Sequence, residues 1–147
     1  MTVRKSTLED IAQLAVLFDR YRVFYNKESD VENAAIFLSE RIESRDSEIF
    51  VAEAEDGVLA GFVQLYPLFS STRMKRLWLL NDLYVDPRYR GKHVSVMLID
   101  RAKQLVKETN AVGLILETTK SNVVGNTLYP RTGFTLDEEH NYYSWGE

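Results

Sequence analysis

The sequence contains no cysteine. That excludes disulfides, thiolate metal sites and a covalent cysteine nucleophile. No run of about 18 apolar residues occurs, so no membrane-spanning helix is expected. The opening MTVRKSTLED lacks the apolar run of a signal peptide, and a cytoplasmic location is the expectation. There is no excess of basic residues: 18 Lys and Arg stand against 22 Asp and Glu, a net charge of −4. That balance argues against nucleic acid as a partner and leaves room for a cationic substrate. No low-complexity tract, repeat or linker is visible. No His, Asp or Glu cluster has metal-ligand spacing, so no metal is expected. The absence of G-x-x-x-x-G-K-[ST] excludes a P-loop nucleotide enzyme.

What is present suits one domain spanning residues 1–147, with 45% apolar residues to build a core. Thr2 to Lys5 is a strand candidate. Thr7 with Asp10 three residues on forms a variant capping box. Ile11, Leu14, Phe18, Tyr21 and Tyr25 follow at helical spacing. Ser29 or Asp30 caps a second helix with Ala34, Phe37, Leu38 and Ile42 on its apolar face. Ile49–Ala54 and Val58–Tyr66 read as a hairpin about Asp56-Gly57. Pro67 is expected to stop the second strand, and 68–75 to be a loop. A strand over Arg76–Val85, a helix over Val94–Thr109 and a short buried strand over Leu114–Thr118 come next. A fourth helix starts at Ser121-Asn122 and runs through Tyr129, bounded by Pro130 and Gly133. Phe134–Leu136 and Tyr142–Trp145 read as two closing strands. The expectation is an α/β fold with a mixed, mostly antiparallel sheet and about four helices.

The most informative stretch is NDLYVDPRYRGKHVSVML, residues 81–98. A strand ends at Asp86-Pro87, because proline lacks the N–H that a strand interior needs. A basic turn, Arg88 to His93, feeds a helix that carries Val94, Met97, Leu98, Ala102 and Leu105 on one face. The first-turn N–H groups of a helix lack internal partners, and the macrodipole adds positive potential there. With Arg88, Arg90 and Lys92 around it, this end reads as an anion seat for a phosphorylated cofactor.

These residues resemble the GNAT acyltransferases, which use acetyl-CoA. The family's cofactor motif is Arg/Gln-x-x-Gly-x-Gly/Ala. Here it stands as Arg90-Gly91-Lys92-His93-Val94-Ser95, with His93 and Ser95 at the two small positions. The second signature, Asn-x-x-Ala-x-x-Leu-Tyr followed by Gly-Phe, stands as Asn122 to Tyr129 and Gly133-Phe134. Only Gly125 for alanine departs. The resemblance covers the whole chain in element order. It implies a GNAT fold and an N-acetyltransferase working by direct transfer in a ternary complex, with acetyl-CoA as co-substrate.

It also assigns sites. The CoA pyrophosphate would lie on backbone N–H groups of Gly91, Lys92, His93, Val94, Ser95 and Val96. The pantetheine arm would pair with Leu83, Tyr84 and Val85, and Asn122 would contact it. Tyr129 would protonate the departing thiolate. Tyr21, Tyr25 and Asn81 lie where the family shapes its acceptor site, although helical spacing equally suits the two tyrosines to the core.

The strand position that often carries a glutamate in the family reads Asn81-Asp82. Asp82 there is either the base, acting through water, or a structural residue; Glu117 is a weaker candidate base, and an external base reached through a water chain stands level with Asp82. The backbone at His93 is expected to be near-helical, with the imidazole pointing outward rather than donating to phosphate. The acceptor is expected to be a primary amine of a small molecule, of polyamine or amino-acid type, or a peptide lysine or N-terminus. The resemblance also implies a homodimer, for which the aromatic end Tyr142-Tyr143-Ser144-Trp145 is a candidate interface, although it equally suits the core. An acyl-CoA-binding sensor without chemistry is the alternative reading.

Overall fold

The structure is a computed structural model and describes residues 1–146. They form two compact units, Met1–Leu116 and one that begins at Glu117.

The first unit is a five-stranded sheet with helices on both faces. Strands β1 (Thr2–Lys5), β2 (Glu48–Glu53), β3 (Leu59–Ser70), β4 (Lys75–Val85) and β5 (Leu114–Ile115) lie side by side in sequence order. The first three ladders are antiparallel and the last is parallel, so the sheet is mixed and mostly antiparallel as expected. Helices α1 (Ile11–Phe24) and α2 (Val31–Ser44) pack on one face. Leu14, Phe18 and Leu38 meet Ile49, Val51 and Phe62 there. Alternation along β2 turns Phe50 to the other face. Helix α3 (Val94–Glu108) covers that face and holds the Arg101 guanidinium 4.1 Å from the Phe50 ring centre.

Local chemistry starts the helices where the sequence suggests. The Thr7 backbone N–H donates to the Asp10 carboxylate at 2.8 Å, the return arm of the capping box. Asp30 accepts from the Asn33 N–H at 3.1 Å and caps α2. The β2–β3 hairpin turns at Gly57, whose φ of +80° suits glycine.

Besides the last helix, which runs through Pro130 to Arg131, three departures from the sequence reading bear on the site. First, β3 does not stop at Pro67 but runs to Ser70 and pairs Pro67 with Trp78. The β2 ladder has already ended at Leu65. Pro67 is therefore on a free edge, where a missing N–H costs nothing, and the loop shrinks to 71–74. Second, β5 is two residues long rather than five. Its ladder ends at Leu79 with Ile115. Just beyond, β4 carries an extra residue: Gln64 faces Asp82, Leu65 faces Leu80, and Asn81 is left over. Such a bulge bends a strand and ends pairing.

Third, the second unit contains helix α4 (Val123–Arg131) and no strand among the described residues. Phe134–Leu136 and Tyr142–Trp145 are therefore not strands here. A strand needs a partner, and an isolated hairpin is marginal in water. Among the described residues, no helix is long and apolar enough to cross a membrane.

Candidate active site

The bulge at Asn81 re-aims the strand residues beyond it. Because Gln64 and Leu65 point to opposite faces, their partners Asp82 and Leu80 do so too. Asp82 therefore sits on the α1–α2 face rather than under α3. Its carboxylate is buried, with 4% of the residue exposed. Gln64 donates to one oxygen at 2.7 Å and the Asn81 amide to the other at 3.1 Å. Burial raises the proton affinity of Asp82 above its usual value, while hydrogen bonding from its neighbours, Gln64 first, pulls it back.

Tyr21, near the end of α1, closes this corner. Its ring packs on Phe62 and Tyr25, with centroids 6.1 and 5.0 Å away, and its hydroxyl donates to the Asn81 carbonyl at 3.2 Å. Tyr21 thus serves the core with its ring and the corner with its oxygen. Tyr66, on β3, is a half-buried phenol whose pKa is raised to about 12 by burial and then by Asp82.

On the β5 side, β4 has no ladder partner beyond Leu79 within residues 1–116, because the β5 ladder stops before Leu80. Leu83, Tyr84 and Val85 lie on this stretch. On the other side, Gly61 pairs with Val85, and a Cβ there would meet the Tyr84 carbonyl at 2.6 Å. A side chain at 61 would push this edge outward, so only glycine lets β3 hold it in place.

Asp86 then ends the strand. It is 1% exposed and accepts from the guanidinium groups of Arg20 and Arg88, at 2.8 and 2.9 Å, and from the Arg88 N–H. Arg88 above all holds its pKa down at about 2. Arg88 is thus tied to a carboxylate rather than free to face an anion. Two guanidinium groups share one carboxylate, so the loop keeps a positive excess. Arg90 is exposed and reaches back to donate to the Val85 carbonyl at 3.2 Å. The Lys92 ammonium lies 5.3 Å from the Tyr89 ring centre.

The loop enters α3 through two left-handed residues, Gly91 with φ +75° and His93 with φ +61°. The near-helical backbone expected at His93 is therefore corrected: it caps α3 from the left-handed region. A residue with a side chain is strained there by about 1–2 kcal/mol, which explains glycine as the family's usual choice. The imidazole is exposed, in line with an outward orientation. Past His93, the first-turn N–H groups of Val94, Ser95 and Val96 have no partner within the helix. A Cβ on Gly91 would meet nothing within 4 Å, so open space lies over the loop. Backbone donors, a positive excess and that open space fit a pyrophosphate.

This loop gives two expected outcomes. Arg90→Ala weakens CoA binding, and more at low salt than at high salt, because the charge is exposed and screened. Calorimetry at two ionic strengths measures this, and unchanged affinity would make Arg90 only a clasp on Val85. His93→Gly raises stability by about 1 kcal/mol by relieving the left-handed strain. It binds CoA at least as well as the parent. A tenfold loss of affinity, about 1.4 kcal/mol, would instead make the imidazole a phosphate ligand.

The second unit holds Asn122 and Tyr129. Asn122 caps α4: its carbonyl oxygen accepts from the Gly125 N–H at 3.1 Å, and its amide donates to Thr118 at 2.9 Å. A Cβ on Gly125 would meet that amide at 2.5 Å and the Tyr129 ring at 3.2 Å. Glycine in place of the family's alanine leaves the Asn122 amide room to lie close over the helix. Tyr129 is half-buried, its ring edge-on to Phe134 with centroids 5.7 Å apart. The Phe134 N–H donates to the Tyr129 carbonyl, and Gly133 makes the turn at φ +96°. Glu117 is exposed and lies past the end of β5, not within it. Among the described residues, no group of acidic, His or Cys side chains could hold a metal ion.

Sequence reasoning picks out Tyr21, Asn81 and Asp82 separately, and the fold brings them together. It misses Gln64 and Gly61. A lone glutamine inside the apolar run Leu59–Tyr66 is the available signal for the first.

Comparisons with known proteins agree with this architecture. The acetyltransferase (GNAT) family profile matches residues 12–134. An uncharacterized N-acetyltransferase, YhfO of Bacillus subtilis, is 40% identical over 97% of this chain and 95% of its own length. A spermidine N(1)-acetyltransferase of Thermoplasma acidophilum is 24% identical over 61% of this chain and 52% of its own. The crystal structure of a probable acetyltransferase superposes with a TM-score of 0.95, at 39% identity, covering 100% of this chain and 98% of that one. The chain belongs to the GNAT family of acetyltransferases, whose acetyl donor is acetyl-CoA.

Proposed function

We propose that the whole chain, residues 1–147, is one catalytic domain that transfers an acetyl group from acetyl-CoA directly to a primary amine. The acceptor is a small molecule of polyamine or amino-acid type, or a peptide amine. One observation carries the reading of the acceptor: a buried carboxylate, Asp82, at the bulge just before Leu83 to Val85 of β4. An ammonium group loses its proton most readily to such a base. The net charge of −4 and the spermidine-acetylating relative support a cationic acceptor.

The co-substrate supplies an acetyl group activated as a thioester. The backbone N–H groups from Gly91 to Val96, with His93 and Ser95 among them, hold its pyrophosphate, and Arg90 and Lys92 add charge. Leu83, Tyr84 and Val85 pair with its extended arm in the manner of an added strand, and Asn122 contacts that arm. Asp82 takes the proton from the ammonium, directly or through water, and leaves a neutral amine as nucleophile. Tyr21, Tyr25 and Asn81 wall the acceptor. A backbone N–H near Val85 donates to the carbonyl oxygen as negative charge grows on it. Tyr129 donates its phenolic proton to the sulfur as the C–S bond breaks. Holding the two substrates in line contributes the rest.

Release of free thiol from acetyl-CoA, screened against polyamines, amino acids, aminoglycosides and peptides, tests the reading. Turnover with at least one amine is expected. A protein that binds CoA and turns over nothing would be a sensor. The reading includes a homodimer, supported by Tyr142, Tyr143 and Trp145, which are 77%, 91% and 87% exposed. Sedimentation should return twice the mass of the chain, and a monomer at micromolar concentration would refute that part.

A further inference from the structure

Gln64 is wholly buried in the middle of β3, yet it is polar. A buried amide is costly unless both its ends are bonded. Here both are. Its nitrogen donates to Asp82 at 2.7 Å, and its oxygen accepts from the Ser47 hydroxyl at 3.0 Å. An ionised carboxylate only accepts, so the amide nitrogen must face Asp82, and Ser47 satisfies the oxygen left behind. The pair sits at the register shift that turns Asp82 to the α1–α2 face.

We propose that Gln64 and Ser47 are positioning residues for the transfer reaction: together they hold the Asp82 carboxylate oriented and ionised. The inference rests on the reading of Asp82 as the base. Gln64 stabilises the charged form by a hydrogen bond, and Ser47 prevents the amide from rotating away. An apolar side chain of similar size would fill the same space but give Asp82 nothing. Titratable groups on the face of Asp82 within residues 1–116 include Tyr21 of α1, Tyr66 of β3 and Tyr84, two residues further along β4. Arg41 and Asp46 act in turn on Tyr66.

Carbon-13 NMR titration of the Asp82 carboxyl in the full chain is the direct test, its signal assigned by loss in Asp82→Asn. The pH profile of kcat is the second readout. Gln64→Met should move the Asp82 titration upward by about one pH unit, the size of one hydrogen bond to a charged group. The acidic limb of kcat should move with it. Ser47→Ala should shift both in the same direction by less.

A folded Gln64→Met with titration and limb unmoved would overturn the proposal, while loss of the limb in Asp82→Asn would keep Asp82 as base. An unaltered limb in Asp82→Asn would overturn the base reading itself, and this inference with it. If Gln64→Met does not fold, Ser47→Ala decides by the same two readouts.

Discussion

Tyr129→Phe should lower kcat by about 10²- to 10³-fold, the lower half of the range for a positioned general acid. The lower half is expected because a thiolate leaves tolerably well unprotonated. The ring is retained, so its edge-on contact with Phe134 at 5.7 Å survives, as does the backbone bond that closes the end of α4. Only the hydroxyl is lost. Its interaction grows as charge collects on sulfur, so the loss belongs in kcat and not in CoA affinity. Steady-state kinetics on a confirmed amine, with CoA affinity measured separately, decides the matter. A kcat within about twofold of the parent, far below that general-acid range, would return Tyr129 to a packing role. Loss of CoA binding would show a structural one.

The second large effect belongs to Asp82→Asn. Burial raises the pKa of Asp82 above its usual 3.8. The carboxylate takes a proton only when ionised, so activity should rise with pH through that raised value. Removing the carboxyl should abolish this limb and lower turnover about 10²-fold or more where the amine is protonated. At high pH, where the amine is already neutral, parent and variant should converge. The stability effect has its own sign. A group whose folded pKa is raised stabilises the fold below its unfolded pKa and loses that contribution as pH rises through the folded one. Asp82→Asn should therefore be at least as stable as the parent at neutral pH. A pH profile with the parent's shape and height would remove Asp82 from the mechanism.

Much of the fold is legible in the chain because it rests on local chemistry. Asp10 and Asp30 announce helix starts by what their carboxylates can accept, and Gly57 marks a hairpin turn. The β4–loop–α3 passage is also local, since Asp86-Pro87 and the periodicity after Val94 are both read within a few residues. The illegible parts depend on pairing at a distance. Pro67 stays in a strand because β2 has ended beside it, a fact carried by Leu65 and Glu48. Phe134–Leu136 has strand-like composition, yet composition cannot supply a neighbouring strand.

The left-handed backbone at His93 is hidden because nothing in the residue types separates the end of the loop from the first turn of the helix. The loop reverses at Gly91 and again at His93 before α3 begins. Asp82 is visible as a candidate, but its burial is not. That depends on the bulge that spends Asn81, and on Gln64 arriving from the neighbouring strand.

The most direct test of the central claim is thiol release from acetyl-CoA in the presence of a panel of amines, read alongside CoA binding by calorimetry. CoA binding is expected, with stoichiometric release of thiol and formation of an N-acetyl product for at least one primary amine. CoA binding with no amine-dependent thiol release across polyamines, amino acids, aminoglycosides and peptides would contradict it.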